Sequence, residues 1–131
     1  MPIMNWSVAL DIGIDSMNRE HRQILDAMNL IYDNHKTGVA GAEMMRQIET
    51  LRQVTVNHFR DEEAYMRQVS YPDLENHKRI HDRLLRDLER HVQEAEATGG
   101  VPSRNFFDFL ALWLSAHIKN IDRKYAEFRP G

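Results

Sequence analysis

Apolar residues recur along most of this chain at alternating steps of three and four, the repeat of a helix that buries one face. Met17, His21, Ile24, Met28, Ile31 and His35 form the first such stripe, in a helix expected over about 16–37. Asp15 or Ser16 is placed to cap its start, and Thr37-Gly38 to end it. The second stripe, over about 41–69, reads Met44, Ile48, Leu51, Thr55, His58, Glu62, Tyr65, Val69, so a histidine and a glutamate at its centre point inward. Ser70-Tyr71-Pro72-Asp73 breaks that helix and opens a third, over about 71–97, because proline is tolerated in a helix only in its first turn. Its stripe is Leu74, His77, His81, Leu84, Leu88. The segment Thr98-Gly99-Gly100-Val101-Pro102-Ser103 is a loop, with Ser103 a cap for a fourth helix over about 104–128. Phe107, Leu110, Leu114, His117, Ile121 and Phe128 line one side of that helix. Ahead of all four, over about 1–15, Trp6, Val8, Leu10, Ile12 and Ile14 alternate with smaller or polar residues, which is an extended period, and Gly13 argues against an early helix.

Four helices of this length joined by short loops must pack antiparallel, since a short loop cannot carry the chain back to its starting end. The expected fold is all-α: an up-down-up-down antiparallel four-helix bundle with an extended N-terminal arm, in a single domain over 1–131. A chain of 131 residues is long enough to bury a core of its own. With 17 Lys and Arg against 20 Asp and Glu, it has no basic excess and no basic cluster to suggest nucleic acid. The absence of cysteine rules out disulfides, thiolate metal sites and a cysteine nucleophile, and it is compatible with a reducing cytoplasm. Met1-Pro2-Ile3-Met4-Asn5-Trp6 lacks the basic start and apolar run of a signal peptide, and no later segment suits membrane insertion. The expectation is a soluble, cytoplasmic monomer.

The histidines change this picture. Each helix puts at least one imidazole on its inward stripe: His21, His58, His77 with His81, and His117. His77 and His81 are four apart, one turn along a single face, so both rings can hold the same metal ion. Glu62 stacks one turn beyond His58 in the same way. Asp122 follows His117 by five, about 140° round an ideal helix, so it must reach in from the edge of the seam or sit on a locally widened turn. Ile121 holds the ideal core position instead. A lone histidine in a core stripe is usually a hydrogen-bonded structural residue. Five of them with two carboxylates in one bundle are another matter, because leaving each charged group unpaired would cost several kcal/mol. His35 and His91 lie at the far ends of their stripes with no companion at metal-ligand spacing and read as structural or surface residues.

Taken together, His21, then His58-x-x-x-Glu62, then His77-x-x-x-His81, then His117-x-x-x-x-Asp122 resembles the hemerythrin family. All seven ligand positions of the family motif are filled, and the resemblance extends to the Trp6 arm and to Trp113-Leu114 ahead of His117. It implies a non-haem centre of two iron ions. His77, His81 and His117 would bind one, His21 and His58 the other, with Glu62, Asp122 and an oxo or hydroxo group as bridges. Of the roughly twelve positions around two six-coordinate irons, these donors leave one open, on the iron with two imidazoles, where dioxygen would bind. Di-iron oxygenases on similar bundles use mostly carboxylates and a repeated Glu-x-x-His motif, which is absent here. Imidazole-rich ligation stabilises highly oxidised iron less, so dioxygen is expected to leave again and no substrate is transformed. Phe59, Trp113, Leu114 and Ile118 are the large apolar groups placed to line that pocket.

The expected function is therefore reversible dioxygen binding, for storage or for delivery to an oxygen-consuming enzyme, by a protein that is not itself an enzyme. Two alternatives stand beside it: a di-iron enzyme handling nitric oxide or peroxide, and a structural or zinc-binding bundle. Steady turnover would reveal the first, and colourless, iron-free protein the second.

Overall fold

The computed structural model describes Trp6, Ser7 and residues 10–128. Four long helical stretches follow one another: α1 (Asp15–Lys36), α2 (Gly41–Gln68), α3 (Leu74–Ala97) and α4 (Arg104–Ala116), the last running through a π-helical turn (His117–Asp122) into α5 (Arg123–Glu127). The architecture is the all-α four-helix bundle expected from the periodicity. Contacts between consecutive turns show the antiparallel course. At one end Asn34 near the close of α1 donates to Gln47 early in α2, and Gly41 N–H donates to the Gly99 carbonyl just after α3. At the other end His21, early in α1, meets Asp122 at the close of the π turn.

The buried stripes are those that the 3–4 repeat marks out. Met17, Ile24, Met28 and Ile31 of α1 meet Met44, Ile48 and Leu51 of α2, Leu88 of α3 and Phe107, Leu110 and Leu114 of α4. At the Gly41–Gly99 end this core is almost wholly apolar. The two loops there run so close that a Cβ on Gly100 would fall 2.5 Å from the Gly41 backbone, which leaves glycine as the residue that fits.

Several local expectations are corrected. Neither Asp15 nor Ser16 caps α1: Asp15 is already in its first turn, and Ile14 occupies the cap position without a side-chain bond. Asn18 instead ties the arm to the helix, its Oδ1 accepting from Ile12 N–H and its Nδ2 donating to Asp11. Pro72 lies in the turn before α3, which starts at Leu74, three residues later than expected, because Leu74 N–H first closes a turn on the Tyr71 carbonyl. Ser103 does cap α4, its Oγ accepting from Phe106 N–H at 3.1 Å. In the arm, Leu10 and Ile12 are buried, but Leu10 N–H closes a tight turn on the Ser7 carbonyl, so the chain there is not simply extended. Val8 lies outside the described residues.

The main departure is in the fourth helix. Its seam runs Phe107, Leu110, Leu114, His117 as expected, then shifts by one residue to Ile118, Asp122, Tyr125 and Ala126. The π turn admits one extra residue, so Ile121 swings to the half-buried edge and Asp122 takes the fully buried place.

Candidate metal centre

Seven side chains converge between the helices toward the α2–α3 turn end of the bundle. From α1 comes His21; from α2, His58 and Glu62 one turn apart; from α3, His77 and His81 one turn apart; from the π turn, its first and last residues, His117 and Asp122. All seven are buried, Glu62 and Asp122 completely. Their donor atoms fall into two groups that share both carboxylates: Glu62, His77, His81, His117 and Asp122 in one, His21, His58, Glu62 and Asp122 in the other, with the atoms of each group within 4.8 Å of one another. Asp122 Oδ1 lies 3.1 Å from His77 Nε2 and 2.9 Å from His117 Nε2, while its Oδ2 lies 3.0 Å from His21 Nε2. Glu62 Oε1 lies 3.2 Å from both His58 Nε2 and His81 Nε2.

Only the His21 Nε2–Asp122 Oδ2 contact among these is a hydrogen bond of good geometry. The Nε2 atoms of His58, His77, His81 and His117, with Glu62 Oε1 and Asp122 Oδ1, are buried yet make no hydrogen bond of acceptable geometry among the described residues. Buried polar atoms without partners are costly. Six of them pointing into the same two volumes fit a pair of cations, since neutral imidazole nitrogen and carboxylate oxygen suit iron or zinc. Two of the opposite ring atoms are held. His58 Nδ1 lies 2.6 Å from Glu20 Oε1 and His81 Nδ1 3.0 Å from Glu63 Oε2. A carboxylate at Nδ1 fixes the proton there and leaves the Nε2 lone pair free for a metal.

Without metal the cluster balances its charge with protons. Burial opposes a charge on His58, but Glu62, Glu20 and Asp122 outweigh it and hold the ring's pKa up at about 10. His21 is raised by Asp122 and Glu62 in the same way, against its own burial. Burial would raise the two central carboxyls, yet the surrounding imidazoles hold both well below the usual carboxylate range. Tyr125 moves the other way: burial, then the neighbouring carboxylates, push its hydroxyl far up, so it stays a proton donor. That donor is used, for Tyr125 O–H donates to Glu62 Oε2 at 2.5 Å.

Of the expected pocket residues, Phe59 lies beside the imidazoles of His58, His81 and His117. Phe59 stacks flat on His81, centroids 3.8 Å apart and planes 4° from parallel, and lies edge-on to Trp113 at 6.0 Å. Trp113, Leu114 and Ile118 are buried on the same helix as His117. His35 and His91 belong to neither donor group. His35 sits beside Phe107, and His91 is buried against the rings of Phe106 and Phe109 at the apolar end. Three participants have no signal in the stripes: Glu20, Glu63 and Tyr125. Glu20 and Glu63 each stand beside a donor in sequence, off the seam by one, where an acid ordinarily faces water.

An antiparallel four-helix bundle with two overlapping histidine–carboxylate clusters defines a class of helical domain able to hold a pair of metal ions. The hemerythrin HHE cation binding domain matches residues 12–128, and this chain belongs to that family. Bacteriohemerythrin of Methylococcus capsulatus is 30% identical over 131 residues, covering 95% of this chain and 95% of its own length. That of Stenotrophomonas maltophilia is 28% identical, covering 97% of this chain and 82% of its own. The crystal structure of a wild-type hemerythrin superposes with a TM-score of 0.84 at 27% identity, over 94% of this chain and 95% of its own. No helix among the described residues is long and apolar enough to cross a membrane.

Proposed function

We propose that this chain binds dioxygen reversibly at a centre of two iron ions held by His77, His81 and His117 on one side, His21 and His58 on the other, and Glu62 and Asp122 between them. The carrying observation is the inequality of the two donor groups, which share both carboxylates but offer three imidazoles on one side and two on the other. The side with fewer protein donors has room for an exogenous ligand. When bound, the iron pair supplies reversible two-electron chemistry toward dioxygen.

The chain's own residues decide what becomes of that chemistry. Glu20 and Glu63 hold His58 and His81 in the tautomer that presents Nε2 inward. Tyr125 fixes the rotamer of Glu62 through its hydroxyl. Phe59 against the imidazoles, with Trp113, Leu114 and Ile118 buried along the helix that carries His117, supplies hydrocarbon to exclude water and the protons it would carry. Five neutral imidazoles against two carboxylates favour release of dioxygen over its use on a substrate. A carrier or store that serves an oxygen-consuming enzyme is the role these features support.

The test is an optical spectrum of anaerobically iron-loaded protein, exposed to air and then deoxygenated. A charge-transfer band that appears with air and disappears on its removal, over repeated cycles, is the expected result. Protein that takes up no iron, or that steadily consumes nitric oxide or peroxide without storing dioxygen, would overturn the proposal.

A further inference from the structure

Tyr125 touches the centre on one side and a second phenol on the other. Its hydroxyl donates to Glu62 Oε2 at 2.5 Å, and its ring lies 5.6 Å from that of His77. Its other neighbour is Tyr65 of α2, with centroids 5.5 Å apart. Tyr125 is fully buried, whereas Tyr65 is only partly buried at the surface of the bundle. A phenol gives up an electron readily when its proton has a base to receive it, and Glu62 is already placed as that base. Trp113, the other oxidisable ring near the cluster, is placed less well. It stands behind Phe59, which is not oxidisable, and its buried Nε1–H has no acceptor among the described residues.

We propose that Tyr125 and Tyr65 form a two-step relay that carries oxidising equivalents from the centre to the protein surface when hydrogen peroxide reacts there. The proposal rests on the di-iron reading above. In the first step Tyr125 loses an electron to the peroxide being reduced at the centre and passes its hydroxyl proton to Glu62 Oε2. In the second, Tyr65 returns an electron to Tyr125, which recovers its proton from Glu62, while the Tyr65 proton leaves to water. A small surface reductant of the thiol or ascorbate class then restores Tyr65 with one electron and one proton. Two passes supply the two electrons that, with two protons from solvent, turn one hydrogen peroxide into two waters. The relay spares the ligands: without it the oxidising equivalents remain beside His77 and His81.

The experiment compares wild type, Tyr65→Phe and Tyr125→Phe, each iron-loaded with metal content and optical spectrum confirmed, treated with hydrogen peroxide without reductant and frozen for electron paramagnetic resonance. Wild type should show a tyrosyl radical that ascorbate quenches at once, and should form dityrosine-linked dimers through Tyr65. Tyr65→Phe leaves the Tyr125–Glu62 hydrogen bond in place. It should keep a radical, now on Tyr125, with a longer lifetime, slow quenching by ascorbate and no dityrosine. Tyr125→Phe should lose the radical and show oxidative damage to the ligand histidines instead. Equal radical yield and dityrosine in all three proteins, or a tryptophan radical in wild type, would overturn the relay while leaving the di-iron reading intact. Wild type that binds no iron would overturn both.

Discussion

Glu20 forms no part of either donor group, yet it sets the tautomer of one that does. Its Oε1 lies 2.6 Å from His58 Nδ1, and an amide in its place could turn its NH2 toward the ring and let the proton move to Nε2. Glu20→Gln is expected to weaken metal binding by about 10- to 100-fold, the usual cost of losing a partner behind a ligand. Unchanged affinity in a competition titration would remove Glu20 from that role. Leu114 acts by volume. It is buried one turn ahead of His117, and its proposed role is to limit access of water and protons to the centre. Leu114→Ala should keep both irons and lose roughly 2 to 5 kcal/mol of stability, as large-to-small core changes do. It should also oxidise to the ferric, non-binding form faster. An oxidation rate equal to wild type, measured well below the unfolding temperature with iron content checked, would make Leu114 packing alone. The seven convergent donors were legible as candidates because polar side chains on an apolar stripe contradict their surroundings. Glu20 and Glu63 were not, because an acid one place off a seam looks like any solvated acid. Tyr125 was not, because an aromatic facing the core raises no question until its hydroxyl is seen to have a partner.

The π turn is the element on which the fourth helix depends. Without it the seam would continue to Ile121, and Asp122 would face away from His117 by about 140°. With it, one extra residue is absorbed and Asp122, Tyr125 and Ala126 all come into phase. The exposed residues of that turn, Lys119 and Asn120, belong to neither donor group. Deleting Asn120 is therefore expected to restore a regular α-helix, put the aspartate four places from His117 on the same face, and keep both metals with equal or higher thermal stability. Loss of metal from the deletion would show that the wide turn itself, and not the phase it restores, holds the aspartate to the ion. From sequence the choice between a reach from the seam's edge and a widened turn was open, since a spacing of five states the misfit without its remedy. The Ser103 cap was legible because a cap is settled within four residues. The start of α1 was not, because Ile14 takes the cap position with no side-chain bond, and where the helix begins follows the course of the arm that Asn18 holds.

At the scale of the whole molecule the bundle is polarised, with the ionisable cluster toward one end and hydrocarbon at the other. Acidity should therefore act on the metal-free and metal-loaded forms differently. His58, raised from 6.5 to about 10, stabilises the metal-free fold fully below 6.5 and progressively less as pH climbs toward 10. Glu62 and Asp122, both lowered, contribute above the ordinary carboxylate range and lose that contribution as pH falls through it. The melting temperature of metal-free protein should thus peak on the acid side of neutrality and decline toward pH 10. Metal replaces the imidazole protons, so the loaded form should lack the alkaline decline, and the gap between the two should widen with pH. Coincident curves would show that loading displaces no proton. The meeting of the two glycine loops bears on sequence in time. The turns after α1 and after α3 both lie at the hydrocarbon end, and Gly41 N–H donates to the Gly99 carbonyl across them. Two short-looped hairpins can zip from that shared corner by local contacts, which form early because closing them costs little chain entropy. The imidazoles then assemble last, around a bundle already half closed. Truncating Ile31 or Met44 should slow refolding, whereas Tyr125→Phe should leave the refolding rate alone and quicken unfolding. A chain that folds in this order meets its metal as a nearly finished vessel, not as a thread to be gathered.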